Sequence, residues 1–177
     1  LGRSAKDLET GVLIMGGPDE LQCAGLKMDL QRSEKKDLKE YKIAACVNDD
    51  IAPVNQEVQN RVLKVAKTIS DSGGEVNFEA RPDFDMLQAM DTYQSLLLPT
   101  MASRTSDDEY NLLKEKLSKL DPSDTSESAY TLRKQTSSLR DYNNANNDRT
   151  HLRWKWHEFF KRYDALITPV MATEAFD

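Results

Sequence analysis

Cysteine, histidine and an excess of basic charge are what this chain has least of. Two cysteines occur among 177 residues. Cys23 falls in a loop-like stretch and Cys46 in an apolar strand pattern, with no CxxC spacing and no nearby histidine, so a zinc site of the usual ligand spacing is excluded. A reducing cytoplasm is the simpler expectation. Lysine and arginine number 24 against 30 acidic residues, a net charge of −6. Phosphate backbones select a concentrated basic excess, so nucleic acid is not expected as a partner. The longest apolar runs, 11–15 and 96–99, fall far below the roughly 20 residues that span a bilayer, and no signal-peptide pattern opens the chain. No membrane association is expected. No GxSxG elbow, internal repeat or low-complexity tract is present. The chain opens without Met at Leu1 and closes at Asp177 in a tail just past an apparent strand, so the expectation is a fragment of a larger protein.

What the chain does contain is an alternation of helix and strand signals. Ser4 caps a first helix with Asp7 reaching back; Ala5, Leu8, Val12 and Met15 share one face, and Gly16, Gly17 and Pro18 stop it. The charged stretch 31–42 reads as a solvated linker or surface turn. Residues 41–47 then read as a buried strand. Asn55 caps a helix lined by Val58, Val62, Val65 and Ile69, Gly73 and Gly74 end it, and 75–79 read as a second strand, parallel to the first.

Helices dominate the middle. One starts at Asp83, turns Phe84, Leu87, Met90, Tyr93 and Leu97 inward and ends at Pro99. Another covers about 108–120, with Leu113 and Leu117 in register, and 121–128 form a polar loop. From 130 to 163 the pattern is helical again, in two pieces around the asparagine-rich 143–147. Its last part carries Leu152, Trp156, Phe159 and Tyr163 as an apolar stripe. A third strand covers 165–170. The fold class is therefore α/β: a partial, mostly parallel sheet of about three strands with flanking helices and a helical insertion, in a single lobe divided as 1–30, 41–80, 83–163 and 164–177.

Local candidates for chemistry are weak. His151 and His157 stand six apart, whereas helical metal-ligand pairs stand three or four apart, so both read as structural or surface residues. Trp154, Trp156, Phe159 and Phe160 have the spacing of core packing rather than of a base-stacking platform. Lys134 precedes Ser138 by four residues, within reach on a helix, but nothing beside the pair supplies an oxyanion hole. Asn48, Asp49 and Asp50 follow the first strand, where α/β proteins hold ligands or Mg²⁺. That opening resembles a phospho-receiver domain, and 163–172 resemble its acceptor strand. Thr168 stands where the acceptor Asp would be, however, some 90 residues too late.

A second resemblance covers nearly the whole chain. Gly2-Arg3-Ser4-Ala5-Lys6-Asp7-Leu8 and the turn Gly16-Gly17-Pro18-Asp19 resemble the Arg-Ser-x-x-Asp-Leu segment and Gly-Pro-Asp turn of amidase-signature hydrolases. Residues 41–76 are similar to that family's strand, Pro-Val-x-x-x-Val helix and Gly-x-x-Val strand, and 79–97 to the helix that follows. Residues 156–170 are similar to its Phe-Phe-x-x-Tyr-Asp-x-Leu-x-Thr-Pro pattern. The resemblance implies a linear-amide hydrolase using a serine nucleophile, a second serine bridging through a cis peptide and a lysine base, with no cofactor or metal. In the family all three residues precede the Arg-Ser-x-x-Asp-Leu block, which here begins at the second position, and the family's Gly/Ser-rich segment is missing. No residue of this chain inherits a catalytic role, and the chain alone is expected to be inactive. By the same comparison it supplies sheet strands and a helical wall over the substrate entrance, where Tyr93, Leu97, Met101 and Thr168 are the candidate substrate-facing residues. The expected partners are the remainder of the parent amidase, a small amide substrate and, through exposed apolar surface, a second copy of the chain. The alternative reading is a non-catalytic interaction or regulatory module acting through Asp49 and Asp50.

Overall fold

Capping side chains set where most of the helices start. The computed structural model describes residues 2–175, so the last two positions of the expected tail lie outside the described residues. Contacts divide the chain into two units, Leu1–Lys36 and Asp37–Asp177.

In the first unit, α1 (Ala5–Met15) begins at the expected capping box. The Asp7 amide donates to Ser4 Oγ at 3.1 Å and the Ser4 amide donates to Asp7 Oδ2 at 3.0 Å. Gly16 closes the helix, and Gly17 turns the chain at a φ of 109°, which only glycine adopts freely. A short 3-10 turn, Gln22–Ala24, follows, with Asp19 Oδ1 accepting from the amides of Leu21 and Gln22. The expected apolar face is present but uncovered: α1 buries no residue, and Met15 remains 81% exposed.

The second unit holds the sheet: β1 (Lys42–Ala45), β2 (Glu75–Asn77) and β3 (Ala165–Ile167), in spatial order β2-β1-β3 with both pairings parallel. Ile43 pairs with Val76 on one side and Ala165 on the other, so β1 is the centre, and Ile43, Ala44 and Ala45 are buried. All three strands are shorter than their sequence patterns. β2 stops because Asn77 Oδ1 turns back to accept the amides of Glu79 and Ala80, while Asn77 Nδ2 donates to Tyr163 Oη at 2.9 Å. Between β1 and β2 runs α2 (Gln56–Asp71), capped by Asn55 Oδ1 accepting from the Glu57 amide. Ala66 is its buried residue, Val58, Val62 and Ile69 are half-buried, and Val65 faces outward, contrary to expectation. Gly73, at a φ of 88°, ends it.

The insertion carries α3 (Met86–Ala102), α4 (Asp107–Ser118), α5 (Glu127–Gln135) and α6 (Leu139–Phe160). Four expectations need correction. α3 starts at Asp85 rather than Asp83, because the Asp85 carboxylate accepts the Leu87 and Gln88 amides while Asp83 pairs with Lys155. It also continues past Pro99: a proline in the last turn forfeits one amide bond, and the Ser103 amide still reaches the Pro99 carbonyl at 2.9 Å. Leu87, Met90 and Tyr93 are exposed, and the inward line runs through Ala89, Thr92, Leu96 and Ala102. Finally, the long helical region breaks at 136–138 and not at its asparagines. Ser138 and Asp141 form a capping box there, and Asn143 to Asn147 lie inside α6 with Ala145 buried among them.

The core forms where α6 crosses the sheet. Phe159, 1% exposed, packs with Ala44 and Ala80, and Trp156, Tyr163 and Leu166 close around it. Trp156 meets Phe159 edge-on at 5.7 Å and Phe84 at 5.4 Å, so the expected aromatic stripe is the seam of the unit. Trp154 and Phe160 stay exposed. Among the described residues no helix is long and apolar enough to cross a membrane.

Candidate functional site

Among the hollows of the second unit, three bear on the candidate residues. The first lies at the C-terminal ends of β1 and β3, the edge where parallel sheets place ligands. The Cys46 amide donates to the Ile167 carbonyl and the Asn55 amide to the Ala172 carbonyl, holding the two chain segments around a hollow of about 190 Å³. Asn48 and Asp49 line it, but their carbonyl and carboxyl oxygens are already acceptors: Asn48 Oδ1 for the Val54 amide and Asp49 Oδ1 for the Ile51 amide. The Asn-Asp-Asp segment therefore shapes a turn. No group of three or more potential ligands gathers there or elsewhere among the described residues. Thr168 is exposed just past β3 and is not among the hollow's lining residues.

The second place is a polar cluster joining α3 to α5. Lys134 Nζ donates to Ser95 Oγ at 2.6 Å and pairs with Asp91 Oδ1 at 2.7 Å, and Tyr130 Oη donates to the same carboxylate oxygen at 2.7 Å. Burial works to raise the Asp91 carboxyl, yet the bonds from Lys134 and Tyr130 win and hold it below the usual carboxylate range. The Tyr130 phenol is pushed up to about 12, first by burial and then by the bond it makes to that carboxylate. Beside the cluster opens a cavity of about 620 Å³ lined also by Arg133, Ser137, Asp141 and Asp148. Arg133 is committed elsewhere, its guanidinium donating to the carbonyls of Asp121, Pro122 and Asp124. Ser137 Oγ is buried with no hydrogen-bond partner among the described residues.

This arrangement pairs a lysine with a serine, but not the pair that the sequence spacing suggested. Ser138 Oγ instead donates to Asp141 Oδ2 at 2.5 Å as part of the α6 cap. Lys134 donates into an ion pair with Asp91 and a hydrogen bond to Ser95, so it anchors helices rather than withdrawing the serine proton. Residues 39 positions apart make these bonds, and sequence spacing carries no signal for them.

The third place is a groove of about 400 Å³ between α3 and α6. These helices run antiparallel: Asp83 and Phe84, just ahead of α3, meet Lys155 and Trp156 late in α6, while Thr100 and Tyr142 line the groove's other end. Tyr93 and Leu97, one turn apart on α3, face Tyr142, Arg149 and Leu152 of α6 across it. Met101, one further turn along, is exposed and does not line the groove. The structure thus brings two of the four candidate substrate-facing residues together and sets Met101 and Thr168 apart from them. His151 and His157 are exposed on α6, the latter edge-on to Trp154 at 5.7 Å.

A family model described as Amidase matches residues 1–177. Neither the curated proteins nor the solved structures give a significant match to the chain.

Proposed function

Because the chain belongs to the amidase family, we propose that it works as the non-catalytic lobe of an enzyme that hydrolyses the C–N bond of linear carboxylic amides. The observation that carries this reading is the family match along residues 1–177. In the proposal, the serine nucleophile, bridging serine and lysine base stand on a segment other than this one. The uncovered apolar face of α1 supports such a neighbour, since a helix with no buried residue gains its stability by packing against something. The pairing of Lys134 with Asp91 supports it too, because a serine-lysine mechanism needs a neutral amine near the hydroxyl.

On this reading the chain contributes the β2-β1-β3 sheet and a helical wall. Tyr93 and Leu97 face the substrate across the α3–α6 groove, with Met101 and Thr168 towards its approaches. Labelling the parent protein with a fluorophosphonate, mapping the modified peptide and measuring ammonia or amine release from an amide panel tests the proposal. The expected result is hydrolysis with the label on a serine outside residues 1–177. A label on any serine within the chain would overturn the assignment of the triad, and a parent that releases neither ammonia nor amine would overturn the enzymatic reading.

A further inference from the structure

We propose that the groove between α3 and α6 binds a small apolar carboxylate, with its acid group on Arg149, flanked by Leu152, and its hydrocarbon body against Tyr93 and Leu97. The volume, about 400 Å³, suits a small ligand. Its walls are aliphatic and aromatic except for the hydroxyls of Thr92, Thr100, Tyr93 and Tyr142 and one charged residue, Arg149. The two threonine hydroxyls are already committed, Thr92 donating to the Gln88 carbonyl and Thr100 to the Leu96 carbonyl.

Arg149 is set apart from the other cations around it. Lys134 is paired with Asp91, Lys155 with Asp83, and Arg133 is bound to three carbonyls. The Arg149 guanidinium makes no ion pair, hydrogen bond or ring contact among the described residues. A free guanidinium presents a planar fork of donors that fits the two oxygens of a carboxylate, and beside an apolar wall that bond forms with less competing water. A neutral ligand would bury the same hydrocarbon without using the fork, and an amine would be repelled by it.

The antiparallel helices also fix how long the ligand is. Arg149 sits mid-groove, between Leu152 at the Ala89 end and Tyr142 at the Thr100 end. From Arg149 to Tyr142 is seven residues of helix, about 10 Å at 1.5 Å per residue. An acid held at Arg149 therefore has room for an apolar body of roughly phenylbutyl length running over Tyr93 and Leu97. Only the identification of this ligand with part of the substrate rests on the amidase reading; the binding itself does not.

Titrating the full chain with 4-phenylbutyrate, 4-phenylbutanol and 4-phenylbutylammonium, followed by methyl NMR shifts at Leu97 and Leu152 and by calorimetry, tests the proposal. The acid is expected to bind about fivefold more tightly than the alcohol, the scale of one exposed charge pair, and the amine more weakly still. Arg149→Gln, at an exposed position that leaves the fold intact, removes the difference and spares the alcohol. Leu97→Ala weakens all three alike. Equal affinities in the native chain, a preference that survives Arg149→Gln, or the absence of shifts at Leu97 and Leu152 would each overturn it. A failed amidase reading would show separately, as a parent that does not hydrolyse amides while this preference persists.

Discussion

Tyr130 Oη donates to Asp91 Oδ1 at 2.7 Å, bridging α5 and α3, and Lys134 reaches the same oxygen one helical turn further on. This shared carboxylate oxygen makes Asp91 the pin of the helical insertion. Replacing it by Asn keeps an acceptor but removes the charge, so the Tyr130 phenol should fall from about 12 by the part that the carboxylate supplies, while burial, the larger cause, still holds it above its ordinary value of 10.0. Ultraviolet titration of phenolate absorbance, with Tyr130→Phe as the control that removes the high-pH step, reads this directly. A native chain with no tyrosine titrating above the ordinary range would contradict it.

The same contact gives a pH dependence with a definite sign. The phenol's folded value lies above its unfolded one, so its stabilisation is complete below pH 10.0 and is lost as pH rises towards about 12. The Asp91 carboxyl lies below its ordinary 3.8, so its contribution is present above that pH and fades as pH falls through the lowered value. Urea midpoints measured from pH 9 to 12 should fall for the native chain and fall less for Tyr130→Phe.

Phe159→Ala should cost about 3–5 kcal/mol, because the ring is fully enclosed and its neighbours are too rigidly interlocked to fill the space. Chemical denaturation followed by tryptophan emission reports it, since Trp156 loses its edge-on partner at 5.7 Å.

Gly74→Ala should destabilise by about 1–3 kcal/mol, the usual range for overpacking. A Cβ there would lie 2.7 Å from Ile69 Cγ2 and 2.9 Å from the Leu38 carbonyl oxygen, and Ile69 is held by α2. Thermal melts of the variant check this, and an unchanged midpoint would show that the turn yields.

The uncovered face of α1 should make the isolated chain associate with itself. Leu13, Ile14 and Met15 are all largely exposed, and apolar surface of that kind seeks cover. Sedimentation over a range of concentrations should show a reversible shift in mass that Ile14→Glu suppresses. A monomer at every concentration would count against the expectation.

Local signals were the legible part of this fold. Ser4 with Asp7, Asn55, and Gly73 announce their boundaries because capping and left-handed turns are decided within a few residues. The stripe through Trp156 and Phe159 was equally plain. What the sequence hid is set by tertiary context. Asn143 to Asn147 are weak helix formers, but their cost is small beside the burial of Ala145 and the cap at Ser138, so the helix runs through them. Leu87 and Met90 look inward by period, yet small residues, Ala89 and Thr92, let α6 approach on the neighbouring stripe. The cluster around Asp91 is assembled from separate helices and left no trace in spacing, since Lys134 meets Ser95 across a separation of 39 positions.

The pairing of Ile43 with Ala165 closes the sheet over a separation of 122 positions, the same as that of the Lys42 to Asp164 bond at its edge. During synthesis β1 must therefore wait for β3. At roughly 5–20 residues per second, the central strand has one open flank for about 6–24 s after it emerges. Through that interval its buried trio, Ile43, Ala44 and Ala45, lacks both its third strand and the Phe159 cap, while α3 to α6, built from nearer neighbours, can already assemble. The helical insertion is then the part of this unit that folds early, and the sheet is the step on which the nascent chain is exposed to mispairing.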